Sequence, residues 1–75
     1  MQILNNIQKI RWEQNISLRQ LSKLSGVSHT EIDMIENGKR NNTGQITMMK
    51  ISRGLKLSVN EVFHLDYENI DLDNI

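Results

Sequence analysis

The sequence predicts an all-α domain of five short helices, and three observations carry that prediction. Apolar residues recur at helical spacing in successive stretches between Ile3 and Leu65. The period restarts three times directly after a capping box, at Ser17–Gln20, Ser28–Glu31 and Ser58–Glu61. Strands find little support, because no alternating run is bounded by hairpin turns and Val, Phe, Tyr and Trp are few.

Ile3, Ile7, Ile10 and Gln14 follow a 4-3-4 spacing and predict a first helix over residues 2–14, with Asn15 as its stop. Ser17 then opens a short second helix: its hydroxyl suits the amide of Gln20, and the Gln20 side chain can reach back. Leu18, Leu21 and Leu24 mark its apolar face, Ser22 is small enough for a neighbouring helix to cross closely, and Gly26 ends it. Ser28 and Glu31 open a third helix, with Val27 stapled before the cap and Ile32 and Ile35 facing inward. Glu36-Asn37-Gly38 ends that helix. A polar loop over 39–44 leads to a fourth helix, 45–55, carrying Met48, Ile51 and Leu55, with Met48 and Met49 expected as core fillers. Ser58 and Glu61 start a fifth helix bearing Val62, Phe63 and Leu65.

The 75 residues permit one domain, expected over 1–65, followed by an acidic segment, 66–75, that is either a disordered tail or a docking arm. There is no cysteine, so neither a disulfide nor a thiolate metal site is possible, and His29 and His64 lack ligand spacing. No apolar run is long enough for a membrane span and no signal peptide opens the chain, which points to a cytoplasmic protein. No nucleophile–base set, paired catalytic carboxylates or glycine-rich phosphate loop occurs, so no enzymatic activity, cofactor or small-molecule substrate is expected.

The net charge is zero, but it is unevenly placed. All nine bases lie between Lys9 and Lys56 with only four acids before residue 60, a net +5, and the five acids from Glu61 onward face no base. A basic body suits an anionic partner; ordinary helix-surface charge with a solvated tail would look the same.

Two short helices joined by a glycine-containing turn, Ser17 to Gly38, form a helix-turn-helix pattern. Over residues 2–65 the chain resembles the Cro/repressor-type helix-turn-helix family, also called XRE-like or lambda repressor-like. The resemblance rests on Ile10-Arg11, Ser17-Leu18-Arg19-Gln20-Leu21-Ser22, Gly26-Val27-Ser28 and Ile32 to Arg40. It continues through Lys50-Ile51-Ser52 and Leu57 to Phe63. It implies a compact five-helix lambda repressor-like DNA-binding domain whose third helix enters the major groove of double-stranded DNA. The expected base-contacting residues are His29, Thr30, Asp33 and Met34, which share one helical face. His29 suits a guanine acceptor, Thr30 a hydrogen bond or a thymine methyl, Met34 the same methyl, and Asp33 a cytosine amine. Phosphates are expected at Arg11, Arg19, Asn37, Lys39 and Arg40 and at the helix-start amides. Arg11 and Glu36 match positions that often pair in this family, which gives Arg11 a structural role first. Lys9 and Lys23 are expected as plain surface bases, Trp12 as partly exposed and His64 as a surface residue.

Two departures stand out. Leu18 occupies a position where many relatives carry a DNA-contacting glutamine, and Asn42 to Ile46 form a loop one residue longer than usual. The expected function is a sequence-specific transcriptional regulator, a repressor acting as a homodimer on a two-fold operator, with Val62, Phe63, Leu65, Ile70 and Leu72 as the candidate dimer surface. The alternative is a protein-interaction module or antitoxin on the same scaffold, with the acidic segment binding a basic protein or folding over the basic face.

Overall fold

Asn5 and Asn6 decide how the chain starts. In the computed structural model, described over residues 3–40 and 43–65, helix α1 spans Ile7–Gln14 and is preceded by a short strand β1, Ile3–Asn5. The first helix therefore begins five residues later than its apolar spacing predicts. The Asn5 side-chain oxygen accepts from the Ile7 amide at 3.2 Å, so asparagine turns the chain into the helix. The backbone before it stays extended.

That strand pairs antiparallel with β2, Phe63–Leu65, in the register Ile3↔Leu65, Leu4↔His64, Asn5↔Phe63. The Asn6 amide extends the pairing by donating to the Val62 carbonyl at 2.8 Å. Residues 63–65, expected as helix, are thus strand. A pairing between partners some sixty positions apart leaves no mark on local periodicity, which explains why the small sheet was not foreseen.

The remaining elements are α2 Leu18–Ser25, α3 His29–Glu36, α4 Gln45–Gly54 and the single turn α5 Val59–Val62. The five-helix expectation therefore holds. Ser17 and Gln20 close their box in both directions, at 3.1 and 2.7 Å. Ser28 caps α3 from one side only: its hydroxyl accepts from the Glu31 amide at 3.2 Å, while the Glu31 carboxylate turns to Arg40 instead. At α5 the Glu61 carboxylate accepts from the Ser58 amide at 2.7 Å. Gly26 ends α2 at φ +77°, a left-handed conformation that a β-carbon disfavours.

The core is Ile7, Ile10, Leu21, Val27, Ile32, Ile35, Ile51, Leu55, Val62 and Phe63, with Ile16, Leu18, Met48, Leu57 and Val59 packed against it. Leu24 and Met49, expected inside, are 58% and 54% exposed. Each lies on the outer side of a helix whose inner face is already filled, α2 by Leu21 and α4 by Ile51. Trp12 is exposed, as expected. Gly54 brings α4 hard against α2: a β-carbon there would stand 3.1 Å from the Ser25 amide nitrogen and 3.2 Å from a Leu21 methyl. Val62 and Phe63 are buried within the protomer, so they offer no dimer surface; Ile70 and Leu72 lie outside the described residues.

Two residues past the end of α4, Lys56 takes φ +60° without being glycine. A left-handed non-glycine residue costs roughly 1–2 kcal/mol. Lys56→Gly is therefore expected to raise stability by about 1 kcal/mol, and a rise in the urea midpoint at unchanged slope is the measurement that checks it.

Candidate nucleic-acid interface

Helix α3 is held from beneath and bare above. Ile32 and Ile35 are buried, whereas His29, Thr30 and Asp33 on the opposite side are exposed and Met34 is half-buried at the margin. The four residues expected at base edges therefore share one side of one rod, three of them exposed and Met34 half-buried.

Three contacts fix the orientation of that rod. Arg11 on α1 donates from Nε to Glu36 Oε1 at 2.6 Å and from Nη2 to Oε2 at 3.2 Å, a two-pronged pair at the end of α3. Its remaining nitrogen, Nη1, donates to the Ile16 carbonyl at 3.1 Å. Both side chains are nearly sealed from solvent, at 9% and 3% exposure, so geometry has to be good for the pair to persist. Arg11 is thus a strut between helices, with its nitrogens turned inward rather than toward a phosphate. The third tie comes from Asn5, whose side-chain amide donates to the Ile35 carbonyl at 2.9 Å. Sequence reasoning missed this role of Asn5, although two asparagines before an apolar stripe are a recognisable cap signal.

The flanks of α3 carry the remaining charge. Arg19, Ser22 and Lys23 along α2 and His29 at the start of α3 line one shallow hollow. Lys23, expected as a plain surface base, therefore sits beside two of the expected contact residues. Lys39 and Arg40 are exposed just beyond the end of α3. Arg40 Nη2 lies 2.7 Å from Glu31 Oε2, an ion pair open to water at 47% and 29% exposure. Asn37 donates to the Asp33 carbonyl at 2.9 Å and to its carboxylate at 3.0 Å. Two residues expected to act separately, one on a base and one on a phosphate, are therefore tied to each other. Leu18, at the position where the resemblance implies a DNA-contacting glutamine, packs half-buried against the core.

Among the described residues no group of His, Asp and Glu is placed to hold a metal ion, and no helix is long and apolar enough to cross a membrane. What the surface offers is hydrogen-bonding side chains on the outer side of α3, with Arg19 and Lys23 beside His29 and Arg40 beside Glu31.

A family model described as helix-turn-helix matches residues 7–62. The crystal structure of the restriction-modification controller protein C.AhdI from Aeromonas hydrophila is similar in fold, with a TM-score of 0.70. The two are 23% identical, over 75% of this chain and 83% of that one. No curated protein matches the sequence. The two capped helices about Gly26, the buried arginine–glutamate strut and a family match over most of the length agree. The chain belongs to the XRE-like helix-turn-helix family of DNA-binding transcriptional regulators.

Proposed function

We propose that this protein is a sequence-specific repressor that reads the major groove with α3, acting as a homodimer in the cytoplasm. One observation carries the reading: α3 buries Ile32 and Ile35 and presents His29, Thr30 and Asp33 to solvent, with Arg19 and Lys23 beside His29 and Arg40 beside Glu31. A helix of about 10–12 Å diameter fits a groove of about 12 Å, and short polar side chains on its outer face then reach base edges. Arg19, Lys39 and Arg40 are the phosphate contacts in this reading, with Asn37 holding Asp33 in place. Asp33 would be repelled by phosphate, so its place is over a cytosine amine. Domain 1–65 is the binding body. A body this small makes few contacts, and a second copy on a two-fold operator doubles them.

A protein-interaction role on the same scaffold is favoured by one feature, the two carboxylates Glu31 and Asp33 on α3. Binding to random duplex DNA across a salt series separates the two. Each neutralised phosphate contributes about −0.9 to the slope of log affinity against log salt, so three contacts give roughly −3 per protomer. A slope near zero would remove the DNA-binding reading.

A further inference from the structure

An apolar hollow of about 660 Å³ lies between α4 and α5, and no residue of α3 lines it. Ile46, Met49, Leu57 and Val59 supply its apolar lining, and Ile46 and Met49 are exposed at 70% and 54%. Three cations, Lys50, Arg53 and Lys56, also line it, against the single carboxylate of Glu61. That carboxylate is already accepting from the amide and hydroxyl of Ser58. Ser52 lines the hollow as well, with a buried hydroxyl that has no partner among the described residues. Exposed apolar surface ringed by one sign of charge suits a segment that alternates apolar residues with the opposite charge.

The chain contains one such segment. Residues 66–75 read Asp-Tyr-Glu-Asn-Ile-Asp-Leu-Asp-Asn-Ile: four acids, no base, and Tyr67, Ile70, Leu72 and Ile75 between them. The segment starts five positions after Glu61 in the wall of the hollow, a backbone path of at most ~18 Å, and an extended chain gains ~3.5 Å with each further residue. We propose that residues 66–75 dock in cis into the hollow between α4 and α5, with their carboxylates toward Lys50, Arg53 and Lys56. The acidic segment then neutralises cations outside α3 and leaves the α3 face open.

The chain has no cysteine, so Asn74→Cys places one nitroxide label on the otherwise intact protein. Methyl-labelled methionine then reports which surface the label approaches. The Met49 methyl is expected to broaden several-fold more than that of Met34 on α3. Lys50→Glu with Arg53→Glu, both at exposed positions, is expected to abolish most of that difference. Greater broadening at Met34 would overturn the proposal, as would equal broadening of the two. So would persistence of the pattern after charge reversal. A sample mixing isotope-labelled chains with separately spin-labelled chains tests the remaining occupant: broadening of Met49 there would assign the hollow to a second copy, and its absence supports docking within one chain.

Discussion

Arg11→Ala is expected to cost about 3–5 kcal/mol of folding stability, because it leaves the Glu36 carboxylate buried and unpaired. A chain of 75 residues holds roughly 4–11 kcal/mol in total at ordinary stability per residue. The substitution therefore removes a large share of it, and urea unfolding followed by circular dichroism measures the loss. The reason lies in geometry. Two guanidinium nitrogens hold Glu36 at 2.6 and 3.2 Å and the third holds the Ile16 carbonyl. Replacing both partners at once, Arg11→Met with Glu36→Leu, removes the orphaned charge and is expected to cost much less than the single change. A single-variant loss below about 1 kcal/mol would show that the pair is not the anchor described. Because the pair joins α1 to the end of α3, the Arg11 variant that remains folded is also expected to bind DNA more weakly.

Thr30→Ala is expected to change preference at one base pair by about 1–3 kcal/mol, while Arg40→Ala weakens binding to every sequence alike. Thr30 is exposed on the outward side of α3, where its hydroxyl and methyl can meet a base edge. Arg40 stands beyond the helix end beside Glu31, in an exposed pair worth little by itself. Exchanging that carboxylate for a phosphate is therefore inexpensive, and losing Arg40 also leaves Glu31 uncompensated near the DNA. Fluorescence anisotropy over a panel of single-substituted duplexes distinguishes the two. The salt slope is expected to shrink by about one for Arg40→Ala and to stay constant for Thr30→Ala. Equal losses on all sequences for both variants would dissolve the division between reading and holding residues.

The helices were legible because their signals are local. Ser17 with Gln20 and Gly26 past Ser25 mark ends by side-chain chemistry within four residues, and the structure places those ends where they are expected. The Arg11–Glu36 pair was also foreseen, through the family pattern rather than through spacing. What escaped depends on distant partners. Ile3 fits a helical stripe, yet its backbone pairs with residue 65, and no window around Ile3 contains that information. Glu31 fits a capping box, yet its carboxylate accepts from Arg40 nine positions further on, a partner that the box around Ser28 does not contain. Leu24 and Met49 fit apolar faces wider than a domain this small can cover. The outward placement of His29, Thr30 and Asp33 was readable from the inward placement of Ile32 and Ile35, because a helix that buries one face exposes the other.

Amide chemical shifts recorded while a duplex is added test the α3 interface most directly. The duplex is best chosen by selection from a random pool, so that a specific site is present. The largest changes are expected at His29, Thr30 and Asp33, with smaller ones at Arg19, Lys39 and Arg40, and little change at Ile46 and Met49. Changes centred on the α4–α5 hollow, or none along α3 at saturation, would contradict the assignment of that helix to the major groove.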